Sequence, residues 1–195
     1  MKDQLILASA SPRRQELLQQ IGLDFQVIPS QAEEHVLDGE TAEEHVIRLS
    51  LDKATEVANR NNISGRWFIG SDTIVLCDGQ ILGKPQDEAE AAMMLKKLSG
   101  QEHRVLSGFA IIDRQSGEQR TEAVCTKVWF RQLTEGEITG YIATGEPADK
   151  AGAYAIQGLG ICFVARIEGS YTNVVGLPLC KLTLAMKELG VPLLI

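Results

Sequence analysis

Apolar and polar positions alternate with two periods along the chain, marking short strands separated by helices. Residues 4–8 are a brief apolar run that reads as a buried strand, and Ser11-Pro12 then offers a capping serine and a proline at the first helical position. Leu17, Leu18 and Ile21 form the inner face of this helix, and Gly22 ends it. A second strand near Phe25 to Ile28 leads into an acidic loop. Thr41 and Glu44 have the spacing of a capping box, which starts a helix carrying Ile47, Leu51, Ala54 and Ala58 as its apolar stripe.

Residues 67–76 are apolar except at Gly70-Ser71-Asp72-Thr73, and Asp78-Gly79 marks a hairpin turn before Ile81-Leu82. Asp87 caps the next helix, which turns Met94, Leu95 and Leu98 inward and closes at Ser99-Gly100. Two long strands near 103–113 and 119–131 are joined through Gln115-Ser116-Gly117. Thr134 with Glu137 is a second capping box, on a short helix ending by Gly145. A glycine-rich segment, a strand near 161–167 and a helix from Pro178 to Leu189 complete the pattern. Alternating strands and helices predict an α/β fold, and the hairpins require its sheet to be mixed. With no repeat or linker-like stretch, residues 1–195 read as a single domain.

The composition, 44% apolar and 23% charged, is that of a soluble globular chain and excludes disordered and fibrous architectures. No apolar run approaches the ~18 residues of a membrane span. Leu5-Ile6-Leu7 is too short for the ~7–15-residue core of a signal peptide, so the cytoplasm is the expected address and no membrane partner is expected. A net charge of −7 repels extended nucleic acid, although a local basic cluster can still hold a small polyanion. Cys77, Cys125, Cys162 and Cys180 form no CxxC pair and sit in apolar stretches, so buried free thiols are expected.

Arg13 and Arg14 stand in the first turn of a helix, where the backbone dipole is already positive and a basic side chain is unfavourable unless an anion joins it. With Ser9, Ser11 and free N–H groups on the same turn, the segment has the makings of a phosphate cradle; two solvated arginines are the alternative. Asp72 lies inside an apolar run, where a carboxylate needs a cation, a metal or turn hydrogen bonds. It is therefore a candidate general base or metal ligand. Lys53 runs along the edge of the helical stripe and either points into a cleft or snorkels along the helix. Lys84, in the rigid Gly83-Lys84-Pro85 turn, either presents a charge to phosphate or belongs to an ordinary loop. Gln157 carries donor and acceptor together, as the edge of a base requires, or is a satisfied loop residue. Glu33-Glu34 either supplies a metal ligand or is solvated. Neither a Rossmann fingerprint nor a P-loop occurs, and no histidine-centred triad is visible. Basic groups, carboxylates for a hard cation and a glycine-rich segment together suggest nucleotide phosphate chemistry.

Leu7-Ala8-Ser9-Ala10-Ser11-Pro12-Arg13-Arg14, Gly70-Ser71-Asp72-Thr73, Leu82-Gly83-Lys84-Pro85, Asp149-Lys150-Ala151-Gly152-Ala153-Tyr154, Ile156-Gln157-Gly158 and Val175-Gly176-Leu177-Pro178, in that order, resemble the Maf family of nucleoside triphosphate pyrophosphatases. The resemblance spans nearly the whole chain. It implies a fold like that of inosine triphosphate pyrophosphatases, with an elongated mixed sheet, flanking helices and two lobes around a cleft, and it implies a homodimer. It further implies hydrolysis of a nucleoside triphosphate to the monophosphate and pyrophosphate with a divalent cation, Mg²⁺ or Mn²⁺. By the same resemblance Asp72 is the proton acceptor, and Arg13, Thr73 and Gln157 tune the choice of base. Ser9, Arg13, Lys53 and Lys84 would hold phosphate oxygens, and Glu34 with Asp72 the cation. Glutamine at position 157 is similar to the branch acting on dTTP, UTP and modified pyrimidine nucleotides, in contrast to a glutamate branch acting on 7-methylguanosine triphosphate. Ser71 departs from the alanine common before the aspartate. Two alternatives stand beside this expectation: a nucleotide-binding regulator of septum formation without turnover, against which the intact Asp72, Lys53 and Lys84 argue, and a purine-type inosine triphosphate pyrophosphatase, which the context of Gln157 disfavours.

Overall fold

The computed structural model describes residues 4–194. Its cap and turn residues do what their chemistry predicts. Ser11 caps α1 (Pro12–Gln20), and Thr41 and Glu44 bond reciprocally at the start of α2 (Ala42–Ala58). Asp87 caps α3 (Glu88–Leu98), and Thr134 with Glu137 opens α4 (Glu135–Ile142) as a second capping box. Asp78 and Gly79, at φ 49° and 74°, make the two-residue turn between β3 (Trp67–Cys77) and β4 (Gln80–Leu82). The remaining strands are β1 (Leu5–Leu7), β2 (Phe25–Val27), β5 (Glu102–Asp113), β6 (Gln119–Phe130) and β7 (Val164–Glu168). Helices α5 (Tyr171–Val175) and α6 (Leu179–Glu188) follow.

The seven strands form one mixed sheet in the order β2-β1-β3-β5-β6-β7, with β4 paired to β3. β1 is parallel to both β2 and β3, whereas β4 and β7 run antiparallel to β3 and β6. The chain divides into two compact units: 1–72, 107–124 and 176–195 form the first, and 73–106 with 125–175 form the second. In the first unit, Ile6, Ala8, Ile28, Val57, Ala58 and Phe68 pack as one apolar cluster. In the second, α3 and α4 bury Met94, Leu95, Leu98, Ile138 and Tyr141 with Val105, Val128 and Phe130 from the strands. Among the described residues no helix is long and apolar enough to cross a membrane.

The structure corrects the sequence reading in several places. The buried face of α2 is His45, Val46, Leu49, Ser50, Lys53, Ala54, Val57 and Ala58, so Ala54 and Ala58 lie inward as expected while Ile47 and Leu51 are only half-buried. The helix is rotated because Gly70 on β3 and Gly108 on β5 admit its backbone. A Cβ at Gly70 would stand 2.0 Å from the Ser50 carbonyl, and one at Gly108 would stand 2.3 Å from that of Val46. Residues 67–77 form one continuous strand, so Asp72 is a strand residue and not a turn residue. The strand expected from 161 begins only at Val164, because Leu159–Phe163 winds as a 3-10 helix. Of the cysteines only Cys77 is buried. Cys125 alternates outward from Thr126 and Val128, Cys162 lies on the 3-10 turn, and Cys180 occupies the outer side of the first turn of α6.

Candidate active site

Lys53 is drawn to Asp72 by the close approach of α2 to β3. Its position, four residues after Leu49 and four before Val57, places it on the buried stripe, and it is only 7% exposed. Its Nζ donates to Asp72 Oδ1 at 2.7 Å, and Asp72 is likewise 7% exposed. The same ammonium meets Glu34 Oε1 at 2.6 Å, with the Glu34 side chain about half exposed. One buried cation therefore joins two carboxylates, answering the cost of a charge inside an apolar strand.

The loop that brings Glu34 there is fastened to α2 at both ends. Glu56 accepts from the Ser30 hydroxyl and from the backbone N–H of Gln31, each at 2.9 Å, while Arg60 pairs with Glu56 and donates to the Pro29 carbonyl. Further along, Arg48 donates to the His35 carbonyl at 2.8 Å and pairs with Glu40. The Arg60 guanidinium holds Glu56 down to about 2, and Arg48 does the same for Glu40. Side chains of α2, with Arg60 just past its end, thus position the loop above Lys53.

Arg14 supplies the other side of the site. It lies three and four residues before Leu17 and Leu18, so it shares their buried face. Its Nε donates to the Gly176 carbonyl at 2.9 Å, and its Nη1 donates to the Ser71 carbonyl at 2.8 Å and to Ser9 Oγ at 3.1 Å. Burial pushes its guanidinium below the ordinary value, against the pull of Asp72. The Ser71 hydroxyl donates to the Gly108 carbonyl at 2.8 Å, so this serine is an internal brace for the strand that carries Asp72. Ser9 Oγ accepts from the Ser11 N–H and from Arg14, which leaves its own O–H to donate elsewhere. Arg13 is half-buried and has neither an ion pair nor a side-chain hydrogen bond among the described residues.

Ser9, Arg13, Glu34, Lys53 and Asp72 all belong to the first unit, and the direct contacts join Lys53 to Glu34 and Asp72 and Ser9 to Arg14. Thr73, Lys84 and Gln157 belong to the second unit. Lys84 is exposed and unpaired among the described residues, on a turn fixed by the Gly152 N–H donating to the Gly83 carbonyl at 3.0 Å. Gln157 is half-buried, and its amide has no hydrogen-bond partner among the described residues. The residue the sequence reading underweighted is Arg14, although its spacing from Leu17 and Leu18 was available as a signal.

Glu34 and Asp72 are hard oxygen donors brought to one point, as Mg²⁺ or Mn²⁺ prefers. No group of three or more His, Cys, Asp or Glu side chains suited to a metal occurs among the described residues. The donor set fits a cation shared with substrate phosphates, as is usual for Mg²⁺, and does not fit an all-protein cage.

A family profile described as Maf-like protein matches residues 4–189. The chain belongs to the Maf-like family. A Maf-like relative from Syntrophotalea carbinolica named dTTP/UTP pyrophosphatase is 59% identical, over 95% of this chain and 84% of its own length. Relatives of the same name from Geotalea uraniireducens and Geobacter metallireducens are 53% and 54% identical, each over 96% of its own length and 97% and 95% of this chain. A solved dITP/XTP pyrophosphatase from Mycobacterium abscessus aligns at 14% identity and TM-score 0.44, covering 96% of this chain and 95% of that one. The assignment to the Maf-like family rests on the sequence matches.

Proposed function

We propose that this Maf-like protein is a nucleoside triphosphate pyrophosphatase that hydrolyses dTTP, UTP and modified pyrimidine nucleotides to the monophosphate and pyrophosphate, clearing the nucleotide pool. The observation that carries the reading is the buried Lys53 held between Asp72 and Glu34, next to a helix start that presents the Ser9 hydroxyl and an Arg13 unpaired among the described residues. The names of the 53–59% identical relatives support the same reaction and the same bases.

In this reaction the oxygen of water forms a bond to the α-phosphorus while the bond from that phosphorus to the bridging oxygen breaks. Pyrophosphate leaves with the electron pair. Asp72 takes the proton of the attacking water, a role for which its Lys53 contact fixes the carboxylate in direction. Ser9, Arg13, Lys53 and Lys84 bind phosphate oxygens, where oriented donors are worth most as charge shifts towards the leaving group. Arg14 holds the backbone of Ser71 and so aims the next residue, Asp72. Glu34 and Asp72 would hold the divalent cation, which when bound would neutralise phosphate charge. Arg13, Thr73 and Gln157 select the base, with the unpartnered Gln157 amide offering donor and acceptor to the edge of thymine or uracil.

The test is a panel of nucleoside triphosphates with Mg²⁺ or Mn²⁺, scored for monophosphate and pyrophosphate. Turnover of dTTP and UTP to these two products supports the reading. Nucleotide binding without turnover, or selective turnover of inosine triphosphate, contradicts it.

A further inference from the structure

Gln157 lies in a segment whose backbone is fastened on both sides by one pair of side chains. Just before it, the Ala155 N–H donates to the Tyr141 hydroxyl oxygen at 3.2 Å. Just after it, the N–H groups of Leu159 and Gly160 donate to the two carboxylate oxygens of Glu146, at 3.0 and 3.1 Å. The Tyr141 hydroxyl donates to Glu146 at 2.8 Å, closing the pair. Between these anchors Gly158 has φ 88° and ψ −152°, a conformation open essentially only to glycine. A Cβ there would stand 2.6 Å from Glu146 Oε2, so the carboxylate packs directly against the residue after Gln157. Burial opposes ionisation of Glu146, but the two backbone N–H groups, the Tyr141 hydroxyl and Lys150 hold its carboxyl below the ordinary range. Tyr141 is itself fixed edge-on against Phe163, at 4.9 Å between ring centroids. The outcome is a rigid backbone carrying an amide that has no hydrogen-bond partner among the described residues.

We propose that Tyr141 and Glu146 are positioning residues that set the direction of the Gln157 amide, and that through it they determine discrimination between pyrimidine and purine bases. The inference rests on the reading of Gln157 as the group that meets the base. Glu146→Gln keeps the size of the side chain but leaves one carbonyl oxygen where two N–H groups and a hydroxyl now find acceptors.

The experiment measures kcat and KM for dTTP and dGTP in the wild type, Glu146→Gln, Gln157→Ala and the double variant. The expected result is a fall of about tenfold in the dTTP over dGTP ratio of kcat/KM for Glu146→Gln, borne by KM for dTTP. Glu146→Gln is expected to add nothing further to the ratio once Gln157 is alanine, since both changes remove the same contact. A parallel loss on both nucleotides, or two effects that multiply, overturns the inference and leaves Glu146 a structural residue. Should Glu146→Gln fail to fold, Tyr141→Phe removes the hydroxyl and keeps the ring on Phe163, and the same ratio decides. A wild type without preference for dTTP overturns the reading of Gln157 together with this inference. A preference that Glu146→Gln leaves intact overturns the inference alone.

Discussion

At the scale of single residues Asp72 and Lys53 form a buried ion pair, and each makes the other's burial tolerable. Asp72→Asn removes the charge but keeps the shape, and the new amide oxygen can still accept from Nζ while Glu34 remains as the ionic partner of Lys53. The expected outcome is a loss of about 10²–10⁴-fold in kcat with little change in Tm. Steady-state kinetics alongside thermal unfolding checks it, and near-normal turnover would remove Asp72 from the reaction. The neighbouring arginines separate in the opposite sense. Arg13 has no protein partner among the described residues, so Arg13→Ala should raise KM for the triphosphate while Tm holds or rises, because a cation leaves the positive end of α1. Arg14→Ala strips donors from the Ser9, Ser71 and Gly176 oxygens and should lower both Tm and kcat. Equal effects from the two alanines on Tm and KM would contradict this division.

Among the elements, α2 builds most of the first unit's site. It supplies Lys53, carries Arg48 and Glu56 for the loop of Glu34, with Arg60 just past its end pairing with Glu56, and reaches the sheet through Gly70 and Gly108. Gly70→Ala would place a methyl 2.0 Å from the Ser50 carbonyl oxygen, a backbone atom that cannot move alone. The helix must then lift, at a cost of about 1–3 kcal/mol or more, and Lys53 withdraws from Asp72. Chemical denaturation should show the destabilisation and kinetics a fall in kcat; an alanine variant with unchanged stability and rate would mean that the approach is looser than it stands here. This contact also explains what the sequence makes legible. Caps and turns such as Thr41 with Glu44 or Asp78-Gly79 are local, so their spacing alone reveals them. The buried face of α2 is not local, since Ile47 with Leu51 and Val46 with Val57 both read as helical stripes until the strand glycines choose between them. Arg14 and Asp72 belong to the same class, because the carbonyls and the ammonium that give them meaning come from distant parts of the chain. Strand pairing likewise starts late at Val164, because residues 159–163 wind as a 3-10 helix before it.

The molecule as a whole should respond to pH through a group that catalysis does not use. His103 is buried in the second unit between Phe130 and Tyr154, its Nε2 at 2.8 Å from the Tyr154 hydroxyl and its Nδ1 without a hydrogen-bond partner among the described residues. Burial pushes it down to about 4, whereas in the unfolded chain it titrates near ~6.5. As pH falls from the unfolded value to the folded one, only the unfolded chain takes up the proton, so stability declines across that window and His103 adds no further loss below it. The carboxylates of Glu40, Glu56 and Glu137, held down to about 2 by their arginines, lose their contribution at lower pH, as it falls from the ordinary carboxylate value to the folded one. Replacing His103 and Tyr154 together by phenylalanine removes both polar partners and should flatten Tm between about pH 6.5 and 4. An unchanged slope would assign the mild-acid loss to another group.

Water directed to the α-phosphorus, with pyrophosphate as the leaving group, is the core of the proposed reaction. Hydrolysis of dTTP in water enriched in heavy oxygen, with mass spectrometry of both products, tests it most directly. One labelled oxygen is expected in the nucleoside monophosphate and none in the pyrophosphate. Label in the pyrophosphate, or release of orthophosphate as the first product, would contradict it.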